Sequence, residues 1–400
     1  MSDGTPAVEG RSNGRFILAS LVSSRFATQP PAILTGLLLI DIGETFGCSV
    51  GVMGQMRTLS AIVTFIFALL MGALSVRFSH KSLLTTGLSF FCVSALVCSI
   101  APSYASMLVA YSLSGLGLGM VAPMVTTLVA SYFPLERRAR AIGLIMAGAA
   151  LSAVVGAPII GFIAGLWGWR IAFIGFVLPI SLLSLLLAMK ILPSAVGGQQ
   201  VGMSGGRYFT GFKAVFSNGS AVACLVAEML RVSGFIVFYI YSASFLRQRF
   251  LMSTGFTSLF FPLTALCYTL GSFVSGRLVG SFGRKPVTVA AILLSGVSTI
   301  SFILSPSLWL ALMLNLMGCL FAGINSSAAQ SLNLEQVPEF RGAMMSMSTA
   351  AMNLGEAIGA GMGGLALLLF GYEALGISLG AMAIAAATIY HLLTTDPTRV

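Results

Sequence analysis

Four charged side chains, Arg25, Glu228, Arg231 and Glu356, lie inside long apolar runs, where charge is costly to place. Arg25 comes ten residues after Arg15. At about 1.5 Å per helical residue, that is roughly 15 Å into a hydrocarbon core about 30 Å thick. Glu356 is fifteen residues beyond Arg341 and seventeen before Glu373, also near the middle of its run. A charge at that depth costs about 2.5–3.5 kcal/mol on insertion scales, so these groups are expected to face water or one another rather than lipid. In such a place an arginine can hold an anionic group, and a carboxylate can take up and release a proton as its surroundings change.

Each charge has a chemical reading and a structural one. Arg25 presents a cation to a central aqueous cavity, or it neutralises Glu228 or Glu356 in a static ion pair. Glu228 and Arg231 are three residues apart and share a helical face, so they pair locally or serve the cavity as a proton-coupling carboxylate and a substrate-binding cation. Glu356 has no cation within one turn of its own helix and has Asn353 at i−3, which makes it the first candidate for proton exchange. Asn325 and Asn353 join Arg25 and Arg231 as candidate substrate contacts. Arg57 lines an external vestibule or snorkels to the headgroups. Tyr239 and Tyr241 are gate aromatics or interfacial anchors. Pro30 and Pro31 remove two helical amide donors and are expected to kink the first run as a gate.

The elements that must carry these groups follow from composition. Of 400 residues, 57% are hydrophobic and only 8% charged, too few to coat a water-soluble globule. Apolar runs of helical rather than barrel-strand length point to an all-α membrane protein. Breaks at charged and Pro/Gly residues give twelve spans, near 16–39, 49–76, 82–101, 104–131, 139–165, 170–189, 220–246, 254–279, 286–305, 307–332, 341–370 and 374–393. The net charge of +10 never forms a basic stripe with interleaved aromatics, so no nucleic-acid partner is expected. Fifteen basic residues, from Arg11 to Arg399, fall on the side of the termini, against Arg170, Arg247 and Arg249 on the other. That asymmetry predicts cytoplasmic termini in a multi-pass plasma-membrane protein. The Gly-rich stretch 190–219 divides the spans six and six, as a cytoplasmic linker between an N-terminal half, 1–189, and a C-terminal half, 220–400. The six cysteines show no metal-ligand spacing, and neither a metal nor a cofactor is expected.

The halves echo one another. "GALSVRFSHK" (72–81) follows the second span and "GRLVGSFGRK" (276–285) the eighth, with Gly72/Gly276, Leu74/Leu278, Phe78/Phe282 and Lys81/Lys285 in register. These loops resemble the Gly-x-x-x-Asp-Arg-x-Gly-Arg-Lys motif of the major facilitator superfamily, although Val76 stands at the Asp position and Gly280 and Ser281 replace Asp and Arg in the second copy. "YFPLERRARAIGL" (132–144) and "VPEFRGAMMSMSTAAMNLGEAIGAGMGG" (337–364) resemble the superfamily's entries into its fifth and eleventh helices. "AGAALSAVVGAPIIGFIAG" (147–165) is similar to the Gly-rich motif of its drug:proton antiporters, which offers Gly156 and Pro158 as bending or gating positions. The resemblance implies two pseudo-symmetric six-helix bundles, a cavity lined away from spans 3, 6, 9 and 12, and alternating access between two sides of the membrane. One departure stands out. Tyr111 occupies the place, four residues before the "GLGLG" glycines, where many antiporters of the family carry arginine.

The expected function is secondary transport of a small organic solute by alternating access, as proton-coupled efflux, by a monomer in the lipid bilayer. Uptake or exchange of an organic anion clamped by Arg25 and Arg231 is the alternative. An intramembrane enzyme or a non-transporting receptor is the reading from another class; neither an HExxH nor a GxxxxGK[ST] motif occurs. Single cysteines at Gly198 and Gly371 test the topology. Impermeant reagents should label position 371 from outside intact cells, and exclusive labelling of position 198 would reverse the orientation.

Overall fold

A computed structural model describes residues 11–193 and 205–397, and among these every regular element is helical. The first span is built in three pieces, Arg11–Phe26, Pro30–Leu37 and Leu39–Phe46. Its first break has a local cause. Pro30 and Pro31 have no amide hydrogen, so the Phe26 and Ala27 carbonyls lose their ordinary i+4 donors, and the prolines open the next helix. The expected kink is therefore an interruption at Ala27–Gln29, one residue past the turn that carries Arg25.

Among the described residues, ten helices are long and apolar enough to cross a membrane, and the bent first span makes an eleventh. The twelfth is hidden in Arg341–Leu393, whose 53 residues as one rod would run about 80 Å. Gly371, at φ 77° and ψ −170°, breaks that rod in a conformation open to glycine. Twelve spans thus stand close to where hydropathy put them. Within the stretch expected to be a plain linker, Gly205–Ser217 is helical, with Gly211 against Phe340 and Ala343 at the entry to the eleventh span. Residues 194–204 of that stretch lie outside the described residues.

Small residues set the helix spacing. A Cβ on Gly115 would collide with the Ser60 carbonyl oxygen, so the "GLGLG" glycines lay the fourth span (Tyr104–Tyr132) against the second (Gln55–Arg77). The other half repeats the device. Gly271 of the eighth span (Thr254–Phe282) and Gly323 of the tenth (Leu308–Leu334) each meet the other span's backbone, where a Cβ would collide with the Leu320 and Tyr268 carbonyl oxygens. The motif lysines also do matching work. Lys81 donates to the Met189 carbonyl at 2.8 Å and to that of Leu192, and Lys285 donates to the Thr394 carbonyl at 2.7 Å. Each closes orphan carbonyls at the last turn of its half, after the sixth and twelfth spans.

The apolar clusters define the shape. One joins both halves, with Ile33, Met56 and Ile160 beside Val237, Phe245 and Ala360. Two others belong to one half each, around Leu21, Leu84 and Leu128, and around Cys224, Leu332 and Met344. The first lies toward the ends of the spans distal to the termini, the others toward the termini. Among the described residues, the apolar packing shared by the halves therefore lies distally, and each half has a cluster of its own toward the termini. Lys81→Met and Lys285→Met should each lower Tm by a similar amount, on the order of 1 kcal/mol of stability. Loss at only one of them, measured by thermal unfolding in detergent, would contradict the repeat.

Candidate functional site

The close packing of the fourth span on the second carries Tyr111 to Arg57. From there a chain of polar contacts crosses the molecule. Arg57 Nη2 donates to Glu356 Oε1 at 2.7 Å, joining the second span of one half to the eleventh of the other. Arg57 Nη1 reaches the Tyr111 hydroxyl at 3.4 Å, and that hydroxyl lies 3.0 Å from Thr35 Oγ1, which donates to the Pro31 carbonyl at 2.9 Å. Arg57 and Glu356 keep 14% and 22% of their side-chain exposure, so water reaches the pair although four spans converge on it. The carboxylate without a same-helix cation has thus found one in the opposite half.

The distal side of this centre is shut. A Cβ on Gly51 would lie 2.6 Å from the Gly364 carbonyl oxygen, and one on Gly54 would collide with the Tyr241 ring and hydroxyl. Tyr241 is 1% exposed, which makes it part of the closure between the second, seventh and eleventh spans rather than an interfacial anchor. Tyr239 packs edge-on to Phe261 at 5.6 Å between ring centres. Further out, the Arg247 guanidinium forks onto Asp41, with Nη2 to Oδ1 at 3.0 Å. Gly161 of the fifth span meets Ser258 of the eighth across the same boundary. Gly156 instead packs on Phe176 and Ile33 within its own half, and Pro158 sits in an unbroken helix, Leu135–Trp167. The small-residue run packs helices here, and its inter-half contact is Gly161, three residues beyond the proline proposed as a gate.

Three candidate site groups bond to one another within one half. Glu228 accepts from Arg231 Nη2 at 2.6 Å, from Arg231 Nε at 3.0 Å and from the Tyr390 hydroxyl at 3.1 Å, while Arg231 Nη1 donates to Asn325 at 2.8 Å. Glu228, Arg231 and Asn325 are 0%, 6% and 3% exposed. Their hydrogen bonds run among the seventh, tenth and twelfth spans, so of the two readings of Glu228 and Arg231 the local ion pair is the one that the geometry supports. Asn353 remains partly exposed one turn before Glu356 and makes no side-chain hydrogen bond among the described residues. Arg25 also keeps part of its surface, has no ion pair among the described residues, and leaves Nη1 buried without a partner. With Glu228 and Glu356 both paired elsewhere, Arg25 neutralises neither.

A sequence model described as Major Facilitator Superfamily matches residues 21–265 and 223–400, nearly the whole chain. The chain belongs to the major facilitator superfamily. It is similar to the MFS-type transporter YceJ of Bacillus subtilis (strain 168), at 25% identity over 343 residues, 86% of this chain and 87% of that one. It is also similar to a protein named "Probable sugar efflux transporter" of Helicobacter pylori (strain P12), at 24% over 360 residues, 89% of this chain and 90% of the relative. Among solved structures, a D-xylose-proton symporter superposes with a TM-score of 0.77 at 16% identity, covering 95% of this chain and 97% of that one. A bacterial homolog to a human lysosomal transporter, Spinster, in an inward-facing and occupied conformation gives 0.77 at 14%, over 96% and 97%. The major facilitator fold and secondary transport of a small solute follow.

Arg57 is the residue that sequence reasoning missed. Its depth suggested a vestibule, but Arg57, Ser60 and Thr64 recur at three- and four-residue spacing, a polar face turned toward the fourth span. That face was legible, and the superfamily's arginine site in the fourth span supplied the rest. Here the cation comes from the second span to Tyr111. Two variants separate the roles. Glu228→Gln should destabilise the fold by about 3–5 kcal/mol, because it strands a buried guanidinium, read as a large drop in Tm. Asp41→Asn should leave Tm nearly unchanged yet speed alkylation of a cysteine at Thr58; unchanged labelling would show that Arg247 does not hold the distal closure.

Proposed function

We propose that the chain is a proton-coupled exporter of a small organic solute, with its termini and its open cleft in the cytoplasm. The observation that carries this reading is the Arg57–Glu356 ion pair, the water-reachable charge pair that ties one half to the other beneath the closed side. While Glu356 is ionised, the tie holds the distal ends together and the unloaded carrier stays open toward the termini. A proton on Glu356 removes one charge and loosens the tie. A solute group that engages Arg57 in place of Glu356 does the same. Because either ligand alone releases the lock and an empty site keeps it, the two are exchanged rather than leaked. The sugar-efflux and proton-symport names borne by relatives agree with small-solute, proton-linked transport but belong to those proteins.

The uptake alternative had two arginines as its clamp. Only Arg25 is left for it, since Arg231 is committed to Glu228. Export is tested in proteoliposomes with a solute first found by thermal stabilisation of the purified protein. Glu356→Gln should bind that solute, permit downhill flux and fail to concentrate it against an imposed pH gradient. Arg57→Gln should lose both modes. Wild-type accumulation by Glu356→Gln would move coupling to another group.

A further inference from the structure

We propose that Arg25 recognises an oxyanion, a carboxylate or phosphate carried by the transported solute. This rests on the transport reading above and names its substrate class. The middle of the membrane-spanning region holds three arginines, Arg25, Arg57 and Arg231, but two carboxylates, Glu228 and Glu356, and both carboxylates are bound to the other two arginines at 2.6 and 2.7 Å. Arg25 is left with neither an ion pair nor a side-chain hydrogen bond among the described residues, and its Nη1 is buried. A guanidinium without a partner at that depth carries a desolvation cost that no group of the protein offsets. A ligand that brings the missing negative charge offsets it.

The position suits a passing ligand. Arg25 lies in the last turn of the first helical piece, beside the break at Ala27–Gln29 and on the side of the termini, where the transport reading above puts the open cleft. Thr28 and Gln29 add polar groups at the break, and Gln29 keeps part of its surface. Thr35, the far end of the polar chain from Arg57, is ten residues on, about 15 Å along a helical path toward the closed side. An anion entering from the cleft therefore meets Arg25 before it reaches the lock, where its charge competes with Glu356 for Arg57. The planar fork of guanidinium fits two oxygens of one group, which favours an oxyanion over a halide.

The test uses the purified full chain in detergent, in chloride at fixed ionic strength, with benzoate, citrate or inorganic phosphate replacing chloride and benzamide as the uncharged control. At least one oxyanion should raise the wild-type Tm to a saturating value, and benzamide should not. Arg25→Gln should abolish that rise while melting higher than wild type in chloride, because the unpaired cation is gone. Arg25→Lys should keep the rise with a half-saturating concentration about tenfold higher. Equal shifts in wild type and Arg25→Gln, no shift with any of the three oxyanions, an equal shift with chloride titrated alone, or a lower Tm for Arg25→Gln in chloride would each overturn the assignment. The binding shift does not depend on a pH gradient, so its failure and the failure of proton coupling are separately visible.

Discussion

The Arg57–Glu356 bond is the constraint on which the rest of the molecule is arranged. Two bundles that each satisfy their own backbone within the membrane have little reason to stay in one relative position, since lipid tails are as apolar as their faces. Close glycine contacts at Gly51, Gly54 and Gly161 bring the distal ends together, and the fork of Arg247 on Asp41 adds a tie at the rim. In the proposed cycle, the central pair is the tie that a proton or a charged solute makes and breaks. The glycines give the closed position its fit, and the ion pair gives it a condition.

The other intramembrane charges show the same physics resolved differently. Glu228 and Arg231 satisfy each other within one helix turn, with Tyr390 and Asn325 completing the set, and so tie the seventh, tenth and twelfth spans together. Arg25 is unresolved within the protein. A pair within one half, a tie between halves and a cation without a counter-charge among the described residues are three uses of one costly residue type, told apart by where the counter-charge comes from.

Much of the fold was legible in the sequence, because a membrane makes spans long, apolar and bounded by charge. Twelve spans, the repeat and the prolines at the first break could all be read locally. Roles were less legible wherever they depended on which faces meet. Glu228 and Arg231 at i and i+3 left both readings open, and only the packing of Tyr390 and Asn325 around them settled the geometry. Glu356 has no cation within one turn of its own helix, and its partner, Arg57, is 299 residues away in the chain. A continuous helix runs through Gly156 and Pro158, and the neighbouring Gly161 meets Ser258 of the other half, a contact that the small-residue run alone does not reveal. Sequence periodicity reports one helix at a time, and transport sites are made between helices.

The central claim is that ionised Glu356 holds the distal ends together through Arg57. Spin labels at Trp167 and Leu251, exposed positions at the distal ends of the fifth and seventh spans, measure that separation directly. The account predicts a distance that lengthens as pH falls in the wild type and is long at every pH in Glu356→Gln. A wild-type distance that ignores pH, or a pH response that survives intact in Glu356→Gln, would contradict it.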